Sequence, residues 1–104
     1  MRVVIDRKVH EKIQMFYDKA IELHEALDYA TVDKKITRLY ASVNKLSENA
    51  TIYRRARVIP EWISKGYREM IHEDFHFAFD IVELEDGECI VYVFDAVHSY
   101  LNHE

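Results

Sequence analysis

The side chains able to do chemistry crowd into the second half of this chain. A basic cluster, Arg54, Arg55 and Arg57, precedes a Pro60-Glu61-Trp62 corner, and Arg68 follows. His72, His76, His98 and His103 are spread over the remainder, and Cys89 is the single cysteine. Trp and Arg are the residues that most often anchor interfaces, so Arg54, Arg55, Arg57, Glu61 and Trp62 are read as a candidate partner-binding surface. The alternative is that Trp62 caps the core and the arginines are simply solvated. Histidines on adjacent strands beside Glu73 and Asp74 would suit zinc. There is, however, no His-Glu-x-x-His and no cysteine pair, so no metal is expected. Cys89, set in Glu88-Cys89-Ile90-Val91, reads as a buried thiol rather than a nucleophile.

Composition narrows the classes. With 104 residues, 49% hydrophobic and 32% charged, two Gly and one Pro, one ordered domain spanning residues 1–104 is expected. No run approaches the ~20 apolar residues a membrane span needs, and no signal-peptide pattern opens the chain, so a cytoplasmic location is expected. The net charge of −5 is uneven. Residues 71–104 carry nine acidic side chains and no Lys or Arg, whereas residues 51–70 carry five basic and two acidic. A nucleic acid would be repelled from the last third and drawn, at most, to the patch before it.

The elements that must position these residues follow from periodicity. Met1–Ile5 reads as a short strand, lying along an edge or beside the last strand. Asp6 is a candidate helix N-cap. Val9, Ile13, Phe16, Tyr17, Ala20, Leu23, His24 and Leu27 then recur at helical spacing. A second helix is expected from a Thr31 N-cap, with Val32, Ile36, Leu39, Tyr40, Val43 and Leu46 as its stripe, antiparallel to the first across a short turn. Residues 47–51 break the helical period, with Asn49 a candidate C-cap.

Beyond that break the period becomes two. Residues 67–71 and 75–82 read as strands, with Phe75, Phe77, Phe79 and Ile81 facing the core. Residues 72–74 make a turn, and Glu85-Asp86-Gly87-Glu88 a hairpin. Cys89 to Phe94 reads as a central strand covered on both faces, with Tyr92 and Phe94 expected in the core beside Phe77 and Phe79. The class is α+β, ordered β-α-α-β-β-β, a helical hairpin on a small antiparallel sheet.

With that order in place, the second half resembles the RelE/ParE superfamily of toxins from bacterial type II toxin–antitoxin pairs, closest to the ParE-like branch. The resemblance rests on Arg57-Val58-Ile59-Pro60-Glu61, Gly66-Tyr67-Arg68-Glu69-Met70-Ile71 and Phe75-His76-Phe77-Ala78-Phe79. It continues through Glu85-Asp86-Gly87, Ile90-Val91-Tyr92-Val93-Phe94 and Val97-His98. Three features depart from the family pattern. Phe75-His76 stands where Tyr-Arg is common, Ser99 stands where a basic residue is usual, and the chain is acidic where many relatives are basic.

The resemblance implies two modes of action. RelE-like relatives cut ribosome-bound mRNA without a metal or other cofactor, the 2′-hydroxyl attacking the adjacent phosphate. For that chemistry His98 would be the acid or base, Arg68 the phosphate clamp, His76 a second proton-transfer group and Tyr100 a stacking platform. ParE-like relatives bind DNA gyrase and need no catalytic residues, so the lost cations matter little to them. The departures favour this second mode. Either mode implies a cognate antitoxin that folds on binding, docked on the groove between hairpin and sheet or on a strand edge. An inactive relative that only binds is a further alternative, and a homodimer is left open.

Overall fold

The computed structural model describes residues 1–23 and 28–99. Strand β1 spans Arg2–Ile5 and helix α1 Arg7–Leu23. Helix α2 spans Tyr29–Asn44, followed by the short helix α3 (Leu46–Asn49) and a 3₁₀ turn over Ala50–Ile52. Helix α4 spans Pro60–Lys65, and strands β2 (Arg68–His72), β3 (Phe75–Glu83) and β4 (Cys89–His98) complete the order. The class is α+β.

The sheet order is β1-β4-β3-β2. Strands β2, β3 and β4 form the expected antiparallel meander, but β1 runs parallel to β4, with Val3 opposite Val91 and Ile5 opposite Val93. The sheet is therefore mixed rather than wholly antiparallel. Such a parallel pair requires a long crossover, and the whole helical region supplies it.

The two long helices, α1 and α2, start where carboxylates satisfy their free amides. Asp6 Oδ1 accepts the Lys8 N–H at 2.9 Å. Asp28 Oδ1 accepts the Thr31 N–H at 2.7 Å, so Asp28 rather than Thr31 is the α2 N-cap. In both cases the accepted backbone hydrogen bond is the main reason the carboxyl sits below its ordinary pKa. Leu46 is buried, as the apolar stripe requires, yet it belongs to α3 because the chain breaks at Lys45. Residues 47–51, expected to break the helical period, stay helical in two short pieces that run to Ile52. His24 and Leu27, expected in the first helix, lie outside the described residues.

Residues directly opposite one another in the sheet share a face. Phe75, Phe77 and Phe79 point to the helices and pack with Val9, Ile13, Tyr17, Val32, Leu39, Val43, Leu46, Val91 and Val93. The opposite face carries Ala78 and Val97, covered by Trp62, Ala56 and Ile59 from the segment that leads into and through α4. Tyr92 and Phe94 lie outside the main core, half-buried, with Phe94 stacked on Tyr67 at 4.4 Å. The outer face of β4 is thus only partly covered, and Cys89 at its first position is exposed rather than buried. It sits on the hairpin rim, before the strand enters the core.

Both tight turns have a backbone reason. Gly87, at φ 87°, closes the β3–β4 hairpin, with its N–H donating to Leu84 O at 2.9 Å. Between β2 and β3 the left-handed position is filled by Glu73, at φ 53°.

Candidate functional site

One irregularity decides how the sequence-predicted site residues are arranged. Strands β3 and β4 keep one register from Glu83↔Cys89 to Phe79↔Val93, then shift at Ala78↔Asp95, leaving Phe94 as the extra residue of a β-bulge. Without it His98 would share a face with His76, because side chains alternate strictly along a strand. With it, His98 lies opposite Phe75, on the helix face, and His76 lies opposite Val97, on the other face.

His98 is accordingly buried, at 6% exposure. Its ring stacks on Phe16, with centroids 3.8 Å apart, and meets Phe75 edge to face at 5.0 Å. Burial holds its pKa below the usual histidine range, offset in part by Asp74 and reinforced by His76. Arg68 lies opposite Phe79, four residues along β3 from the Phe75–His98 pair. That spacing is about 13 Å at the usual strand rise. One Arg68 amine donates to Tyr53 O at 2.7 Å, tying the guanidinium to the chain before α4. The three side chains assigned to RNA cleavage therefore do not converge on one phosphate-sized site. Tyr100 lies outside the described residues.

His76 has other company, which the sequence reading missed. Its Nε2 is 2.9 Å from Ser99 Oγ, and its Nδ1 is 3.6 Å from Glu69 Oε1. Ser99 N–H and Oγ both reach Asp74 O, at 2.8 and 2.9 Å. The signal was present: a turn at residues 73–74 forces Ile71 opposite His76 and so sets Glu69 on the same face. His72 is separate from this group. It faces the helices, its Nδ1 2.8 Å from Ser42 Oγ on α2. Among the described residues, no three His, Cys, Asp or Glu side chains come together as metal donors, and His103 lies outside them.

The basic segment divides. Arg55 is used internally: its guanidinium donates to Gly66 O at 2.6 Å and pairs with Asp80 at 3.2 Å. The backbone beside it adds a short rung to the outer edge of β2, with Ala56 N–H donating to Tyr67 O and Glu69 N–H to Arg54 O. Glu61 pairs with Lys65 along α4 at 3.2 Å, an exposed contact that raises the Lys65 pKa. Trp62 is 1% exposed, packed on Ala78, so it offers no surface to a partner. Its Nε1 donates to Asp95 Oδ2 at 3.2 Å.

Comparison with protein-family models, with curated proteins and with solved structures returns no match. The chain's own geometry must carry the functional reading.

Exposed on this segment are Arg54 and Arg57, together with the apolar side chains of Ile52, Val58 and Ile63. The Asp95 carboxylate holds the platform beneath them. Burial pushes its pKa up, but Lys12 (2.6 Å), the Trp62 indole and the Ala96 amide outweigh that and leave it below the ordinary value. One carboxylate thus joins α1, α4 and the bulged stretch of β4.

Proposed function

We propose that the chain has the RelE/ParE fold and is the toxin of a type II toxin–antitoxin pair. In this reading it is ParE-like and acts by binding DNA gyrase rather than by cutting RNA, and a cognate antitoxin neutralises it. What supports this reading is the element order, a strand and two long helices before a three-stranded meander, with β1 beside β4. The observation that carries the choice of mode is the bulge at Phe94. It turns His98 away from His76 and beneath Phe16, so neither a proton-transfer pair nor a phosphate clamp is assembled. Binding needs no such assembly.

The contact surface in this proposal is Arg54 and Arg57 with Val58 and Ile52. Trp62 supports it from beneath, Arg55 ties it to Gly66 and Asp80, and Glu61, itself exposed, pairs with Lys65. Its charge and exposed apolar side chains suit an acidic, partly apolar protein surface. The test is induced expression in bacteria, with DNA replication and protein synthesis followed separately. Early loss of replication with translation intact supports the proposal. Early loss of translation contradicts its mode, and no growth arrest contradicts the toxin role.

A further inference from the structure

The group around His76 has no part in the binding function proposed above, and its atoms are arranged for a different chemistry. Ser99 Oγ is 2.9 Å from His76 Nε2, and His76 Nδ1 is 3.6 Å from Glu69 Oε1. Glu69 and His76 are largely buried, with side chains 13% and 20% exposed. Nδ1 and Oε1 are themselves buried, and among the described residues neither has a hydrogen-bond partner. Each is therefore the natural partner of the other, one small approach away. The Asp74 carbonyl already receives the Ser99 backbone N–H at 2.8 Å. The Ser99 hydroxyl can thus turn its single proton to His76 Nε2 without leaving that carbonyl unpaired. With Nε2 accepting, the neutral ring carries its proton on Nδ1, aimed at Glu69. Hydroxyl, imidazole and carboxylate then form a directed chain across the ends of β4, β3 and β2. That is the diagnostic arrangement of an activated nucleophile, a base within reach and the base oriented by a third group.

The geometry points to Ser99 as a nucleophilic serine, with His76 its base and Glu69 the positioning residue, able to take an acyl group from an activated carboxylic ester. In the step, Ser99 Oγ bonds to the ester carbonyl carbon as its proton passes to His76 Nε2. The carbon–oxygen bond to the alcohol then breaks, and the leaving alcohol takes that proton from Nε2. Acyl-Ser99, the free alcohol and neutral His76 remain. Glu69 stabilises the imidazolium that forms in between. The bulge contributes here too: by removing His98 to the other face it leaves His76 free to face Ser99 and Glu69.

A fluorophosphonate probe tests this on the whole purified chain. Oγ attacks phosphorus, the P–F bond breaks, fluoride departs and the proton goes to His76. Ser99 is the sole serine beyond Arg68, and no Lys or Arg follows Arg68. The label therefore falls on one C-terminal tryptic peptide. One equivalent on the wild type is expected and none on Ser99→Ala. His76→Gln should slow labelling by about 100-fold, the low end of general-base contributions. For Glu69→Gln a slower rate is expected, partly restored by Glu69→Asp, which keeps the carboxylate, a rescue that a purely structural role would not produce. Thermal melts of each variant separate a lost fold from lost reactivity. A folded wild type that takes no label, a Ser99→Ala that labels equally, or a folded His76→Gln that labels at the wild-type rate would each overturn the proposal.

Discussion

The His98 imidazole lies nearly parallel to the Phe16 ring, 18° between planes and 3.8 Å between centroids, clamping the end of β4 to α1. A neutral ring suits that site, since a charged one would lose solvation beneath an aromatic. Its folded-state pKa is lowered, mainly by burial. As pH falls, the unfolded chain therefore takes up this proton first. Stability is full above the unfolded value of about 6.5 and declines as pH drops below it toward the lower folded value. Urea midpoints measured between roughly pH 7 and roughly pH 5 should fall, and His98→Phe, which keeps the stack, should lessen that fall. A wild-type midpoint that rises with acidification would contradict the burial argument.

Asp95 should be the most sensitive polar position. Replacing it by Ala strands the buried Trp62 N–H and removes the Lys12 contact, with an expected cost of about 2 kcal/mol. Lys12→Ala should cost under about 1 kcal/mol, because that side chain is 44% exposed and water replaces its partner. Chemical denaturation compares the two variants. Equal costs would mean that the ion pair, not the indole, dominates.

Glu73 occupies a left-handed backbone conformation at φ 53°, one that costs a side-chain-bearing residue roughly 1 kcal/mol. Glu73→Asn, which tolerates that region better, should raise the melting temperature. Glu73→Val should lower it, since β-branching worsens the clash.

The basic segment should separate binding from stability. Arg54→Glu with Arg57→Glu reverses two exposed charges that have no ion-pair partner among the described residues and should change folding stability by less than about 0.5 kcal/mol per site. Arg55→Ala should cost somewhat more, up to about 1 kcal/mol, by removing its contacts to Gly66 O and the partly exposed Asp80. Thermal melts beside a partner-binding assay would show whether the two effects divide this way.

How much of this was legible in the sequence depends on the range of the interaction. The stripes Val9-Ile13-Tyr17 and Val32-Leu39-Val43 and the alternation Phe75-Phe77-Phe79 report local periods of 3.6 and 2, and all nine residues are buried. The parallel pairing of β1 with β4 joins residues some ninety positions apart, and nothing local encodes its direction. The burial of Trp62 depends on Asp95, 33 positions away. The faces of His76 and His98 turn on one extra residue, Phe94, whose apolar character matched the strand on either side of it. Cys89 was misjudged because an apolar run predicts burial for its middle better than for its end.

The most direct test of the account is growth arrest on induced expression, comparing Arg54→Glu/Arg57→Glu with Arg68→Ala and His98→Phe, each checked for folding. The account predicts that the double charge reversal abolishes arrest while the two single substitutions retain it, with replication failing first. Arrest that survives the charge reversal but is lost with Arg68→Ala or His98→Phe, and in which translation fails first, would contradict it.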